Sequence, residues 1–485
     1  MIMKKYNDRI PQFVKPLLSV AVAAALPVMA QEPLALEEIV VTAEHREASL
    51  QETQISISAF DSESIADLGI SNGLDIGEFV PNLNAQPYVG GKSGVSFNIR
   101  GIGNSETLVS FDPAVSVYLD GVLIAKNVGA LLDVLELERI EVLRGPQGTL
   151  YGRNTMGGAV NYITKRPESE FGGRLKATLG RFNQRDLRGM INVPLAGADS
   201  AIGELNLRAS IATIDRDGLS DVEDSIFGPP PQSELGTKDR EVGMLQLMWA
   251  PTDTFSANYS YDRTRIDEVP VTSHVVTVNP NGITTFLAPY DFDEDEYPEN
   301  VQINQPSNAI TDVDGHALTL SWDISDNMTL TSLTGYREMA NESNGDSDGS
   351  PFSVIFSRDR NAYEALSQEF RLIGAALDER LNYSTGLFFY QEEGDVWNQT
   401  DVFGFPFSLN VADFENDAMA IYGQFTYAFT DRLDATFGIR YTEEDREMGK
   451  AFITAYAPGL ATPYQTYDQI SGNYAGNVCG VTSAG

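Results

Sequence analysis

From Phe171 onward the chain alternates apolar and polar residues with a period of two. Leu175, Ala177 and Leu179 alternate with Lys176 and Thr178, and Leu205, Leu207, Ala209 and Ile211 alternate with Asn206, Arg208 and Ser210. The pattern returns at Phe255, Ala257, Tyr259 and Tyr261, and again at Leu433, Ala435, Phe437, Ile439 and Tyr441. Successive side chains of a strand point to opposite faces, so each segment is a strand with one apolar and one polar face. A soluble sandwich and a membrane-spanning barrel both use such strands. The connections favour the barrel, because they alternate short and long. Residues 196–202, 251–254, 325–327, 376–380 and 430–432 read as tight turns, and residues 215–239, 266–314, 338–361 and 391–417 as long outer loops. About eleven strands are expected. After residue 30 no apolar run is long enough for a membrane helix, so a membrane-spanning chain here must be a barrel.

The N-terminus reads as an export signal over residues 1–30. Lys4, Lys5, Arg9 and Lys15 precede an apolar run, and Val28-Met29-Ala30 is a small-x-small cleavage site. The whole chain carries 33 Lys+Arg against 69 Asp+Glu, a net charge of −36, which argues against a nucleic-acid partner. Cys479 is the sole cysteine, and His45, His274 and His316 share no ligand spacing, so no metal centre and no cofactor is expected. Asn344-x-Asp346-x-Asp348-Gly349 begins like a calcium loop, but its twelfth position is Ile355 rather than Glu. No nucleophile–base pair is visible, and the chain is not expected to be an enzyme.

Between these regions lies a glycine-rich stretch, LERIEVLRGPQGTLYGRNTMGGAVNYITKRP, residues 137–167. A strand runs to Arg144, and Gly145-Pro146 ends it, since proline cannot donate to a ladder. Gly148, Tyr151 and Gly152 form a turn, Gly157-Gly158 a close backbone approach, and Asn161 lies on the next strand. No Gly-Lys-Ser/Thr follows, which excludes a phosphate loop. Upstream, Asp61 is placed to cap a short helix ending at Gly69, and further strands are expected near Val95 and Val115.

These motifs resemble the plug domain of the TonB-dependent outer-membrane receptors. The glycine-rich stretch is similar to that family's plug signature, and Arg100-Gly101 and Asp120-Gly121 match two further plug strands in the same order. The resemblance implies an N-terminal α/β plug over residues 55–170, and over residues 171–485 an all-β transmembrane barrel of the 22-stranded type. It implies that Ile39, Val40, Val41, Thr42 and Ala43 are the TonB box, with residues 31–54 as box and tether. Such a box works by β-augmentation, adding a strand to a partner's sheet edge. The alternative for it is the first strand of the plug's own sheet. The implied partners are TonB with its inner-membrane energising complex, outer-membrane lipid and lipopolysaccharide, and a small-molecule ligand; the implied state is a monomer in the outer membrane.

Tyr88, Lys92, Lys126 and Asn127 lie in glycine-rich connections where the family's plug apices meet ligand, and are the candidate contacts. Family members import ferric siderophores, haem, cobalamin or sugars. The acidic outer loops weakly favour a neutral or cationic ligand, since ten acids and no Lys or Arg fall in residues 266–314. A passive binding protein or adhesin is the alternative.

Only about half the barrel is expected within this chain. Eleven or twelve strands enclose roughly 22–24 Å between backbones, and twenty-two roughly 44 Å. A plug of about 130 residues is about 36 Å across. The polar end around Cys479 lacks the aromatic terminal strand that the family leads one to expect.

Overall fold

The computed structural model describes residues 40–42, 46, 48–51, 53, 55–87, 94–104, 109–130, 136–225, 227–271, 300–430 and 432–454, except single positions with no described side chain. The predicted signal segment, Ile39, Ala43, Tyr88, Lys92, the acidic run 291–296 and Cys479 lie outside the described residues.

The first region is a small α/β domain. Strands β1 (Val40–Val41) and β2 (Ala48–Ser49) pair antiparallel. Strand β3 (Ile57–Asp61) leads into α1 (Ser62–Leu68), where the Asp61 carboxylate accepts the Ser64 N–H at 2.8 Å and Gly69 closes the helix at φ 71°. The cap and stop are those expected from sequence. A single 3₁₀ turn follows, Asp75–Glu78, anchored by the Asp75 carboxylate, which accepts the Ser71 N–H at 2.7 Å. Strands β4 (Leu83–Pro87), β5 (Val95–Ile99) and β6 (Ile102–Gly103) form one sheet. Strands β7 (Val115–Leu119), β8 (Val122–Ile124), β9 (Leu137–Arg144) and β10 (Gly158–Thr164) join β3 in another, ordered β3-β9-β10-β7-β8, with only β10 and β7 parallel. Ile65, Ile76, Phe97, Ile140, Val160 and Tyr162 fill the core between helix and sheets.

The second region is one antiparallel sheet of eleven strands. In order these are β11 (Gly172–Leu179), β12 (Arg185–Ala196), β13 (Glu204–Arg216), β16 (Lys238–Thr252), β17 (Phe255–Glu268), β19 (Asn308–Ser325), β20 (Met328–Asp346), β21 (Ile355–Ala376), β22 (Leu381–Val402), β23 (Phe405–Thr430) and β24 (Leu433–Thr454). Short strands β14 (Ser220–Val222), β15 (Glu234–Leu235) and β18 (Asn300–Val301) form a separate small sheet. The sheet's apolar residues face away from the plug: Ile211, Leu245, Phe370, Leu387, Ile421 and Ile439 are all exposed. Its other face carries buried polar residues such as Asn206, Arg208, Gln246, Arg337 and Glu392. That inversion is the outward-apolar signature of a transmembrane wall.

The five short turns fall where the sequence places them, and so does the long connection at residues 215–239, between β13 and β16; residues 266–314 link β17 to β19 and lie largely outside the described residues, and the other two expected loops are mostly strand. Residues 391–417, read as a loop, form most of a hairpin whose strands run to Val402 and resume at Phe405. Residues 338–361 likewise belong mostly to β20 and β21. Period two persists there with acids instead of apolar residues on the outward face, which conceals the strand from a hydrophobicity count. The calcium-like loop is also resolved. Asp346 accepts the Asp348 and Gly349 N–H groups at 3.3 and 3.0 Å, and Asp348 accepts those of Val354 and Ile355 at 3.1 and 2.8 Å. Its carboxylates cap backbone donors.

Candidate functional site: the plug seam and the coupling segment

The glycine-rich turn builds the seam between the small domain and the wall. Gly145 donates to the Gly157 carbonyl at 2.9 Å and Gln147 to that of Thr155 at 3.1 Å, folding residues 145–157 back on themselves. Gly158 adopts φ 149°, and a Cβ there would collide with the Leu143 carbonyl on β9. Gly152 lies against the Arg440 guanidinium of β24. The Tyr118 hydroxyl donates to the Tyr151 carbonyl at 3.0 Å, the two rings meet edge-on at 5.3 Å, and Asn161 donates to the Tyr151 hydroxyl at 2.9 Å.

The other signature residues are also structural. Arg100 and Asp120 hold left-handed backbone, at φ 53° and 49°, ahead of Gly101 and Gly121. Asp120 accepts the Thr164 N–H and hydroxyl at 2.9 and 2.7 Å. Burial raises its pKa and these hydrogen bonds oppose the rise. Arg144 reaches the Pro81 carbonyl at 3.4 Å, and Gly148 faces open space.

Across the seam the contacts are largely ionic. Asp112 sits among three cations: Lys126 at 2.9 Å, Arg153 at 2.8 Å and Arg446 of β24 at 2.9 Å. Lys126 also meets Glu392 of β22 at 3.0 Å, and Arg153 meets Glu444 of β24 at 3.2 Å. Burial alone would raise the Asp112 pKa, but Lys126, Arg153 and Arg446 outweigh it and hold the carboxyl at about 2. At the other side, Glu136 pairs with Arg174 of β11 at 2.6 Å and Arg208 of β13 at 2.7 Å. An apolar strip accompanies these pairs, with Tyr118, Leu123 and Val128 against Val313, Met339 and Phe414.

Lys126 and Asn127 are therefore not exposed apex residues. Lys126 is 2% exposed, and Asn127 is buried with its amide donating to the Asn104 carbonyl at 3.1 Å. Both are held in the seam. Sequence reading missed Asp112, Arg153, Glu392 and Glu444. One signal existed: Glu392-Glu393 are adjacent on a strand, so one of the two must face inward and needs a cation.

The segment around β1 is docked. Val41 is fully buried, and the Thr42 N–H and hydroxyl both donate to one Glu141 carboxylate oxygen, at 2.8 and 3.1 Å. Arg139 bridges the pair, donating to Glu141 at 2.8 Å and to the Thr42 hydroxyl at 3.2 Å. The stretch expected to be a free tether instead folds back through β2, since Val40 and Val41 find a local strand partner.

A small mixed-sheet domain, clamped by ion pairs to the polar face of a lipid-facing β wall, is the architecture of a plugged outer-membrane barrel. In its plug region and in its fold the chain is similar to the TonB-dependent receptors of the outer membrane. Residues 49–159 match the family model of the TonB-dependent Receptor Plug Domain. Over 228 residues the chain is 28% identical to the pesticin receptor of Yersinia pestis, covering 44% of this chain and 30% of that one. It is 31% identical to the vitamin B12 transporter BtuB of Vibrio vulnificus over 180 residues, 36% of this chain and 28% of BtuB. The fold is similar to that of the ferric yersiniabactin uptake receptor FyuA from Yersinia pestis, with a TM-score of 0.66 at 17% identity over 82% of this chain and 58% of FyuA. The chain thus spans about a third of the curated relatives it matches.

Proposed function

We propose that the protein is an energised importer that carries a scarce small-molecule ligand across the outer membrane. Residues 39–43 are its TonB box, and TonB with its inner-membrane energising complex is the partner. The docked coupling segment carries this reading. Thr42 hangs on Glu141, which lies on β9, and β9 runs directly into the glycine turn that meets the wall. Traction on residues 39–43 therefore acts on the strand that ends at the seam. Ligand binding frees the box, TonB adds to it as a strand, and the plug shifts along an ionic seam that water can resolvate. The protein acts as a monomer with lipopolysaccharide around it. Tyr88 and Lys92 are retained as candidate ligand contacts. Relatives are receptors or transporters for differing cargo, including vitamin B12 and, in FyuA, ferric yersiniabactin, so a siderophore-type iron complex is one class of cargo the resemblance implies.

Proline at Val40 or Val41 tests the coupling, because it removes a strand donor and fixes φ. Uptake should fall to background in both variants while ligand affinity stays within about twofold. Normal uptake in both would remove the box, and ligand binding with no uptake in the unaltered chain would leave a passive binding protein or adhesin.

A further inference from the structure

The inner face of the wall changes chemistry just beyond the plug. The last row in contact with it is apolar: Val313 and Met339 lie against Gly129, and Tyr363 and Phe414 join the same cluster. Two residues further along the strands, towards the long connections, Asn341 stands directly opposite Asn361. Two further still come Ser343 on β20 and Asn410 on β23. Spacing by two keeps them all on the plug-bearing face.

These side chains are buried and incompletely partnered. Asn361 is 3% exposed, and neither its amide nitrogen nor its oxygen has a hydrogen-bond partner. The Asn341 and Asn410 side-chain oxygens and the Ser343 hydroxyl are also buried without partners. An unmet buried polar group costs about 1–3 kcal/mol, and native structures pair nearly all of them. Several such groups on one patch of one face define a surface awaiting complementary donors and acceptors.

The patch carries no cation. Its one carboxylate among these strand positions, Asp359, stands directly opposite Ser343 and accepts the Asn398 amide at 2.6 Å. Neighbouring cations are already paired: Arg337 with Asp262 at 2.8 Å, Arg240 with Glu268, and Lys126 with Asp112 and Glu392. An anionic iron chelate would meet no uncompensated positive charge among these groups. A hydroxyl group both donates and accepts, and fits amide oxygens beside an amide nitrogen and a hydroxyl.

We propose that Asn341, Asn361, Ser343 and Asn410 form the wall's ligand-recognition surface, and that the ligand is an uncharged, hydroxyl-rich molecule of the oligosaccharide class. This assignment rests on the import reading above. Its test is equilibrium binding to the whole chain in outer-membrane vesicles, using cellohexaose, maltohexaose, xylohexaose and a ferric tris-catecholate as probes. At least one hexaose should bind, and the ferric chelate should not compete. Asn361→Leu should weaken that hexaose tenfold or more, and Asn361→Ser, which leaves the wall undisturbed, should give an intermediate loss. Binding of no hexaose overturns the assignment, and so does hexaose affinity unchanged in both variants. Ferric-chelate binding that survives Asn361→Leu overturns it too and leaves import intact. Hexaose binding that depends on Asn361, with normal uptake in the Val41→Pro variant, would remove the coupling and leave the assignment standing.

Discussion

The plug and the wall are both β-rich, yet opposite rules hold them together. The plug closes an apolar core around Ile76, Phe97, Ile140 and Tyr162, and its glycines take backbone angles that other residues resist. The wall has no such core on its outer side. Its long strands are held by register, and its apolar side chains face lipid. A plug position is therefore fixed by what crowds it, and a wall position by which face it is on. The same substitution should behave differently in the two regions.

Glycine gives the sharpest contrast and the largest expected effect. Gly158 in the plug combines φ 149° with a collision between any Cβ and the Leu143 carbonyl. Gly243 in the wall has open space where its Cβ would stand. Gly158→Ala should destabilise the plug by about 3–5 kcal/mol, adding backbone strain to overpacking. Gly243→Ala should change wall stability by less than about 1 kcal/mol, in the stabilising direction, by restricting the unfolded chain. Limited proteolysis and urea unfolding of both variants in detergent would check this. Equal losses would mean that plug and wall obey one packing rule after all.

The seam joins the two regions, and Asp112 is its centre. Removing one partner of a buried charge network costs about 3 kcal/mol or more, because the other charges remain buried. Asp112→Asn strips a carboxylate from Lys126, Arg153 and Arg446, so plug release by urea should come at clearly lower concentration. The effect has a defined pH dependence. The folded pKa of about 2 lies below that of an unfolded carboxylate, about 3.9, so this stabilisation is complete above roughly pH 4 and is lost as pH falls towards 2. The two-unit difference is worth about 2–3 kcal/mol. Wild type should lose seam stability across that window and the Asn variant should not. Matching acid profiles would show that other carboxylates govern the seam.

How much of this was legible in the sequence follows from the same contrast. Plug elements were found by local chemistry: the Asp61 cap, the Gly69 stop and the Gly145-Pro146 strand end depend on residues close in the chain. Wall strands were found by period, and all five tight turns with them. What escaped were contacts between regions. Asp112, Arg153, Glu392 and Glu444 are remote in sequence, and the one local sign, the adjacent Glu392 and Glu393, calls for a cation without saying which. Lys126 read as an exposed apex because a lysine in a glycine-rich connection is usually solvated, and only the wall's carboxylate buries it. The outer ends of β20 to β23 escaped for a different reason. Their outward positions change from apolar to acidic without a break in the ladder.

That change sets up the smallest effect. Asp314, Glu338, Glu364, Glu393, Glu415 and Glu447 stand directly opposite one another on six successive strands, β19 to β24, all on the outward face. Like charges directly opposite are unfavourable, and long exposed side chains relieve the repulsion only partly. The row is thus a strain that register imposes on the wall, unlike anything in the plug. Glu364 is near its middle and keeps one further contact, accepting the Tyr336 hydroxyl at 2.8 Å, which a glutamine oxygen can also accept. Glu364→Gln should therefore slightly raise the unfolding midpoint of the wall at about 10 mM salt, where charges interact over roughly 30 Å. The gain should vanish near 1 M, where screening shortens that range to roughly 3 Å. A loss of stability at low salt would reverse the interpretation, because it would mean that the row is held together by bridging cations rather than strained by its own charge.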